Sequence, residues 1–353
     1  MQNQKTILVA PLHWGLGHAT RCIPIIYALI EHGFKPLIAS DGAALELLRK
    51  EFPEVESIEL PSYQISYSKS ASGFKRKLIL DSPKMLKAID NEKKVIKKLV
   101  KQGKIDGIIS DNRLGVRNKK VPSVFITHQL NVLTGSTTWI STLLHKKVIK
   151  KFDTCWVPDF EGKVNLSGKL GHPKHVPKNV FYIGPLSRMK KLDIEKKNDI
   201  LVLLSGPEPQ RTFLEEKLME ELSGLDKKIL FVLGKVEEQI HCYNEGNIRV
   251  YNYLGSKALE KTINESEVVI SRSGYTTIMD LAVLEKKAFF IPTPGQFEQE
   301  YLAKRLKIKG LVPSCKQEKF TKEKLGTVQV FSGLRHLKNE VDFKSIFSLF
   351  EGK

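Results

Sequence analysis

Two glycine turns hold most of the residues in this chain that could do chemistry. The first reads HWGLGHATR over residues 13–21 and contains two glycines, Gly15 and Gly17, and two histidines, His13 and His18. Glycine lets a backbone approach a ligand closely, and a helix that begins there presents N–H groups and its positive dipole end to an anion. An imidazole can act as a base or as a donor to phosphate. The turn predicts an anion site with a catalytic histidine; a purely structural strand-to-helix connection is the alternative.

A second glycine turn lies about half a chain further on. It reads SRSGYTT over residues 271–277 and follows the apolar run Val268–Ile270. If a helix begins near Ser273, its first amides can hold a diphosphate. Asp280 would then lie two turns on along the same face, where it can accept hydrogen bonds from the vicinal hydroxyls of a ribose. The alternative is a solvated Asp280. Together, the two turns predict a ligand held between two domains.

Two further junctions place polar residues directly after apolar runs. Ser205 and Gly206 open one of them, and its Arg211 offers a planar fork for phosphate oxygens or else lies on a helix surface. At the other junction, Asp111 directly follows an apolar run. Together with His13, Asp111 is a rival of the favoured His18 for the role of base.

Short apolar runs rich in Ile and Val alternate with helical patterns along most of the chain. Such runs, separated by helices, predict parallel sheets covered on both faces, with ligands at the carboxyl ends of the strands. The predicted strands are Thr6–Ala10, Pro36–Ser40, Val55–Leu60, Ile105–Ser110, Ser123–Thr127, Cys155–Val157, Val180–Ile183, Ile200–Leu204, Lys228–Leu233, Ile248–Val250, Val268–Ile270 and Ala288–Ile291.

The two series of strands predict two successive doubly wound α/β domains. We place the N-terminal domain at residues 1–184, a linker at 185–199 and a C-terminal nucleotide-binding domain at 200–335. Residues 336–353 complete the chain, and their helical pattern could pack across the domain junction.

Composition and charge narrow the class of protein. Hydrophobic residues make up 41% of the chain and charged residues 27%, which is typical of a soluble globular protein. Four scattered cysteines indicate reduced thiols in the cytoplasm, and the N-terminus does not resemble a signal peptide. The uncharged stretch from Val121 to His145 contains polar groups that would be costly in hydrocarbon, so we expect no transmembrane helix. The formal charge is +18, and residues 1–183 carry +14 of it.

These motifs resemble those of the GT-B glycosyltransferases, specifically family 28, which includes the bacterial transferase that adds N-acetylglucosamine to a lipid-linked cell-wall precursor. The resemblance is specific at Gly15–Arg21, Ser205–Arg211, Arg272–Asp280 and Pro292–Tyr301, and weaker at Thr127–Asn131. It implies a GT-B architecture, in which two doubly wound Rossmann-like domains face a central cleft.

The resemblance also implies which residues bind substrate. In the family, the C-terminal domain binds the nucleotide sugar, with a carboxylate on the ribose and a Gln-containing loop on the sugar hydroxyls. The implied donor-binding residues are Gly17, Ser205, Gly206, Arg211, Arg272, Ser273, Gly274, Thr276, Thr277, Asp280, Gln299 and Glu300. The implied acceptor-side residues are Gly15, Asn112, Arg113, His128 and Gln129. Asp280 stands where the family usually has Glu, and Glu300 stands where it has a second Gln.

The activity implied is an inverting transfer of a hexosyl or N-acetylhexosaminyl group from a nucleotide-diphosphate sugar, expected to be a UDP-sugar, to an unidentified acceptor that could be lipid-linked. The resemblance implies no tightly bound cofactor and no metal, because helix N-termini and basic side chains take up the charge of the departing diphosphate. One alternative is a nucleotide-sugar epimerase or hydrolase on the same fold. The other is a basic nucleic-acid-binding protein without catalysis, although no recognised nucleic-acid motif appears.

A basic segment from Lys69 to Lys104 holds 12 Lys and Arg against three acidic residues, with apolar residues between them. One interpretation is a solvated helix face. The other is an amphipathic patch that rests on an anionic membrane, where a lipid-linked acceptor would be met. We therefore expect a cytoplasmic protein, peripheral on the inner face of the membrane in the second interpretation, with no nucleic-acid partner. The sequence does not indicate the oligomeric state.

Overall fold

The chain forms two compact units, each built on its own sheet, in the computed structural model. The structure describes residues 4–63, 82–133, 138–206, 208–334 and 341–352. The first unit contains the described residues up to Ser187 and those from 341 onward, and the second begins at Arg188. The part of the predicted basic segment before residue 82 lies outside the described residues.

The first unit is a seven-stranded sheet in which every neighbouring pair is parallel. The strands lie in the order β3-β2-β1-β4-β5-β6-β7, so the predicted doubly wound arrangement is confirmed. The strands are β1 (Thr6–Pro11), β2 (Lys35–Ser40), β3 (Ser57–Glu59), β4 (Gly107–Asp111), β5 (Ser123–Ile126), β6 (Thr154–Val157) and β7 (Val180–Tyr182). The described helices that precede β7 are α1 (Gly17–Glu31), α2 (Gly42–Glu51), α3 (Ser82–Lys101) and α4 (Thr138–Ile149).

Strand β1 shows why this sheet must be covered on both sides. Ile7 and Val9 pack into a core with α1 and α2, whereas Leu8 and Ala10 pack into a second core with α3. Alternate side chains of a strand point to opposite faces, and a continuous apolar run therefore needs a layer of helices on each.

The second unit repeats the pattern with six strands in the order β10-β11-β9-β8-β12-β13. Its strands are β8 (Asn198–Leu203), β9 (Ile229–Val232), β10 (Cys242–Glu245), β11 (Ile248–Tyr251), β12 (Ser266–Ser271) and β13 (Lys287–Phe290). Its α-helices are α5 (Gln210–Leu222), α6 (Ser256–Asn264), α7 (Tyr275–Val283) and α8 (Phe297–Ile308), followed by 3-10 helices at Gln317–Lys319 and Lys322–Val330. Strand β10 alone runs antiparallel among the described strands, at the edge of the sheet.

Helix α9 (Phe343–Glu351) belongs to the first unit although the chain reaches it after the second. Phe347 and Phe350 are 1% and 2% exposed, and both rings lie against Phe34 and Trp156. Lys5 Nζ donates to the backbone oxygens of Phe350 at 2.9 Å and Glu351 at 2.7 Å. A cation is favourable at a helix C-terminus, so these bonds fasten the end of α9 to the start of β1.

Strand register aligns the carboxyl ends on which the functional residues lie. Pro11 of β1 pairs with Asp111 of β4, and Ser271 of β12 pairs with both Leu203 of β8 and Phe290 of β13. In each unit, loops that are far apart in sequence therefore leave the sheet side by side. Within the described ranges, no helix is long and apolar enough to span a bilayer.

Candidate functional site

The first unit brings His18 and Asp111 into direct contact. His18 is the second residue of α1 and Asp111 is the last residue of β4, and His18 Nδ1 lies 2.9 Å from Asp111 Oδ1. The His18 side chain is 15% exposed, whereas Asp111 is completely buried. Two residues that the sequence presented as rivals for one role are therefore partners in a histidine–carboxylate pair.

Arg21 and His128 complete this group, which we call the His18 cluster (His18, Arg21, Asp111 and His128). Arg21 Nε donates to Asp111 Oδ2 at 2.5 Å, and its Nη2 donates to Oδ1 of the same carboxylate. Arg21 Nη1 lies 3.1 Å from His128 Nδ1. The predicted acceptor-side residue His128 thus joins the predicted base, and buried Arg21, which ends the predicted motif but was assigned no site role from the sequence, links the two.

The electrostatics of the cluster favour a neutral His18 beside an ionised Asp111. Burial acts to raise the pKa of Asp111, but the charge of Arg21, together with that of His18 at the low pH where His18 is protonated, overcomes it and holds that pKa at about 2. Burial lowers the pKa of His18 below 6.5, and this outweighs the opposing pull of Asp111. A neutral imidazole whose Nδ1–H is held by a carboxylate presents Nε2 as a proton acceptor, which is the geometry of a general base.

His13 and Arg113 belong to a second, separate polar network in the first unit. His13 Nδ1 lies 3.3 Å from Asp41 Oδ2, and its side chain is 33% exposed. Arg113 is fully buried and donates to Asp41, to Glu92 Oε1 at 2.8 Å and to Pro11 O at 2.9 Å. The guanidinium predicted for the acceptor side therefore ties the ends of β1 and β2 to α3.

The remaining acceptor-side residues lie on turns beside the His18 cluster. Gly15 has φ +78°, in the left-handed region that favours glycine, and a Cβ built there would meet no heavy atom within 4 Å. Asn112 also adopts positive φ, 59°, and its Nδ2 lies 3.4 Å from Asp111 Oδ1. Gln129 follows His128, and its backbone N–H donates to Thr127 Oγ1 at 3.1 Å. Gly17 begins α1.

In the second unit, the turn after β12 leads into a helix without a side-chain cap. Helix α7 begins at Tyr275, within two residues of the predicted start, and the N-cap position is Gly274, which has no side chain to cap it. Thr276 and Thr277 form its first turn with Tyr275. A Cβ at Gly274 would meet only Thr277 Oγ1, at 3.9 Å, so the space above the helix start is open. An anion is the natural partner of such a start.

Asp280 lies one turn further along α7 and is partly buried. The first turn of α8 is fastened beside the start of the same helix, because Ser273 Oγ donates to Gln299 O at 2.8 Å. The side chain of Gln299 accepts from Thr293 N at 2.8 Å, and that of Glu300 accepts from Gly295 N at 2.9 Å. The predicted ribose and sugar residues therefore lie on two helices of one unit, Asp280 on α7 and Gln299 and Glu300 in the first turn of α8.

Arg272 lies inside the second unit and is 2% exposed. Its guanidinium donates to four oxygens from three segments: Ile291 O at 3.1 Å, Pro292 O at 3.2 Å, Gln210 O at 2.6 Å and Gln317 Oε1 at 2.8 Å. Burial lowers its pKa to about 9, so the group stays protonated at neutral pH. Arg272 thus holds the end of β13 and the start of α5 in place beneath the α7 turn.

The third predicted junction follows β8. Ser205 and Gly206 are partly buried, and Gly206 has φ +101°. Arg211, in the first turn of α5, forms an ion pair with Glu208 and donates to Leu233 O at 3.0 Å. Among the residues that the structure describes, no three His, Cys, Asp or Glu side chains group closely enough to hold a metal ion.

Comparison with known proteins relates the second unit to a family and the whole chain to a fold. Residues 209–332 match the glycosyltransferase family 28 C-terminal domain. The chain is similar to two proteins named UDP-N-acetylglucosamine--N-acetylmuramyl-(pentapeptide) pyrophosphoryl-undecaprenol N-acetylglucosamine transferase. It is 25% identical to that of Buchnera aphidicola, over 65% of this chain and 62% of the relative's length. It is 26% identical to that of Clostridium tetani, over 78% of this chain and 75% of the relative.

The solved structure of MurG from Acinetobacter baumannii has the same fold, with a TM-score of 0.59, 16% identity and 99% of each chain covered. Two doubly wound α/β units and this likeness confirm the predicted GT-B architecture. The match of the second unit confirms the resemblance carried by the sequence motifs. The chain therefore has the GT-B fold of glycosyltransferases, with a match to the family 28 C-terminal domain at residues 209–332.

Proposed function

We propose that this protein is an inverting transferase that moves a hexosyl or N-acetylhexosaminyl group from a UDP-sugar to a hydroxyl of a lipid-linked acceptor. The observation that carries the proposal is the His18–Asp111 pair, 2.9 Å apart at the carboxyl edge of the first sheet. A glycosyltransferase needs a base for the acceptor hydroxyl, and a neutral, carboxylate-held imidazole is suited to that role.

The proposed reaction is a single displacement. His18 Nε2 takes the proton of the acceptor hydroxyl while that oxygen attacks the anomeric carbon opposite the diphosphate, so configuration inverts. The new bond joins the acceptor oxygen to the sugar, and the bond between the sugar and the diphosphate breaks. Asp111 stabilises the imidazolium that forms, and UDP leaves with the bonding electrons.

For the donor, we propose that the α7 start binds the diphosphate and that Asp280 binds the ribose. Backbone N–H groups and a helix dipole stabilise the charge that develops on a leaving diphosphate, so the nucleotide sugar enters as a substrate and we propose no resident metal or cofactor. The names of both relatives specify a UDP-N-acetylglucosamine donor and an undecaprenol-linked acceptor, which supports a UDP-sugar and a lipid-linked acceptor here.

A position at the inner face of the cytoplasmic membrane follows from such an acceptor. Helix α3 supports it in part, because its outer face is rich in exposed lysines and Leu86 on that face is 67% exposed. The apolar residues Met85, Ile89 and Ile96 of the same helix pack inward. The membrane contact that we propose for the described part of the basic segment depends on its exposed lysines and on Leu86.

The experiment is a transfer assay with a labelled UDP-sugar and lipid extracts as acceptor. We expect His18→Ala to lower turnover by about 10²–10⁴-fold and to leave donor affinity nearly unchanged, because a base acts only in the transition state. The matched control is His32→Ala, at the C-cap of the same helix, which should retain turnover. Wild-type turnover should level off above pH 7 and fall at lower pH as His18 gains a proton, since its pKa lies below 6.5.

Two outcomes would contradict the proposal. Activity of His18→Ala within a few-fold of wild type would move the base elsewhere, to His13 first. Epimerised or hydrolysed donor in reactions without acceptor would favour the alternative enzymes, although both relatives are transferases.

A further inference from the structure

Arg21 lies between the two histidines of the His18 cluster and shares their carboxylate. Its Nη2 donates to Asp111 Oδ1 and lies 2.8 Å from His18 Nδ1, and its Nη1 lies 3.1 Å from His128 Nδ1. A guanidinium has donors only, so each histidine nitrogen that pairs with it must offer a lone pair. For His128, this places the ring proton on Nε2.

His18 is in a different position, because its Nδ1 faces a donor and an acceptor at once. Asp111 Oδ1 is 2.9 Å away and Arg21 Nη2 is 2.8 Å away. With the proton on Nδ1, the ring donates to Asp111 and Nε2 can accept a proton. With the proton on Nε2, Nδ1 accepts from Arg21 and the ring can no longer act as a base through Nε2. Catalysis by the proposed route needs the first form.

We propose that Arg21 is a positioning residue that acts through Asp111 and by its own charge to set which nitrogen of His18 carries the proton and how strongly the ring holds a second one. This inference rests on the proposed function of His18. The titratable groups that face His18 are Asp111 from β4, Arg21 from α1 and His128 after β5. Cys22, also on α1, contacts the same carboxylate, with Sγ 3.8 Å from Oδ2.

The two charges act on His18 in opposite directions. The carboxylate of Asp111 favours the imidazolium, and the guanidinium of Arg21 disfavours it. Removing the positive charge should therefore raise the pKa of His18, and removing the negative charge should lower it. A purely structural Arg21 would produce no such opposed pair of effects.

Nuclear magnetic resonance of protein labelled with ¹⁵N-histidine tests this directly, because long-range ¹H–¹⁵N spectra report both the tautomer and the pKa of each ring. Spectra of the whole chain from pH 5 to 9 need neither donor nor acceptor, and His18→Gln assigns the resonance. We expect Arg21→Gln to raise the pKa of His18 by about one unit or more, the usual effect of a charge this close. Arg21→Lys, which keeps the charge, should stay near wild type. Asp111→Asn should lower the pKa and shift the ring toward the Nε2–H form.

His172 provides an internal control in the same spectra, because it lies 3.8 Å from a different carboxylate, Asp159, and its ring resonances should not differ between the variants. Equal His18 titration in folded wild type, Arg21→Gln and Arg21→Lys would overturn the proposal. If Arg21→Gln does not fold, an unchanged His18 tautomer in Asp111→Asn would overturn it instead. If the spectra change as expected but the protein transfers sugar to no acceptor, the proposed function is refuted and the proposal for Arg21 stands.

Discussion

Replacing Asp111 by Asn removes the carboxylate of the His18 cluster while keeping its size and one acceptor oxygen. Asp111 is completely buried, and Arg21 and His18 hold its pKa at about 2, against an ordinary 3.8. Because of that depression, the ionised carboxylate stabilises the folded state at pH 7. The substitution also leaves the Arg21 guanidinium buried without its counter-ion, and breaking a buried pair in this way costs about 3–5 kcal/mol. We expect the free energy of unfolding of the first unit to fall by about 3–5 kcal/mol.

The sign of the pH dependence follows from the direction of the pKa. A carboxylate with a depressed folded pKa stabilises fully above its unfolded pKa of 3.8, and this contribution is lost as the pH falls toward 2. The difference between wild type and Asp111→Asn should therefore be largest at pH 5–7 and should shrink at pH 3. The two proteins become more alike in acid because protonation removes the same charge that the mutation removes.

Urea unfolding followed by tryptophan fluorescence measures this difference, because the chain's three tryptophans, Trp14, Trp139 and Trp156, all belong to the first unit. Asp90→Asn is the matched control: it removes a carboxylate from the exposed face of α3, where it pairs with Lys94, and should change little. A difference between wild type and Asp111→Asn that stays constant from pH 7 to pH 3 would refute the reasoning.

Three further predictions concern the donor site, the C-terminal helix and the basic face. Asp280→Ala should weaken UDP binding, measured by calorimetry, by about 1.5–3 kcal/mol, as expected for the loss of hydrogen bonds to a charged group. The control Glu216→Ala, on the exposed surface of α5, should not weaken it. Equal UDP affinities of wild type and Asp280→Ala would remove Asp280 from the site. Phe350→Ala should destabilise the first unit by about 3–5 kcal/mol in urea, because the ring is 2% exposed; a loss below 1 kcal/mol would contradict its place in the core. Replacing four exposed lysines of α3 with glutamine should reduce flotation with anionic vesicles, whereas the same change at four exposed lysines of the second unit should not. Equal recovery of the α3 variant and the wild type would favour a soluble acceptor. The α3 set is Lys84, Lys87, Lys97 and Lys98, and the control set is Lys257, Lys304, Lys319 and Lys322.

The strands could be predicted from the sequence because the physics that forms them is local. A buried parallel strand must be apolar on both faces. Runs such as Ile7–Val9 and Val268–Ile270 can therefore be recognised directly in the amino-acid sequence. Strand β10 could not be found in this way. Its four residues, Cys242–Glu245, are all exposed, and it pairs antiparallel at the sheet edge, where no apolar run is required.

Candidate site residues could be proposed from the sequence, but the contacts between them could not. His18 and Asp111 are 93 positions apart, and only the pairing of β1 with β4 brings them together. Each residue follows a predicted strand, so knowledge of the strand order would have indicated the pair. The roles of Arg21 and Arg113 could not be predicted, because a sequence does not reveal whether an arginine pairs with a buried carboxylate or faces a ligand.

The place of α9 in the first unit has a consequence for how the chain is made. The ribosome synthesises the strands β1 to β7 first, then the whole second unit, and only afterwards the residues of α9. Until then, the surface against which Phe347 and Phe350 pack, including Phe34 and Trp156, has no cover. The nascent first unit must therefore carry an exposed apolar patch through the synthesis of about 150 further residues, for a delay of roughly ten seconds or more at cellular elongation rates. During this interval, the patch is a natural target for a chaperone or for aggregation, and it closes when the helix docks.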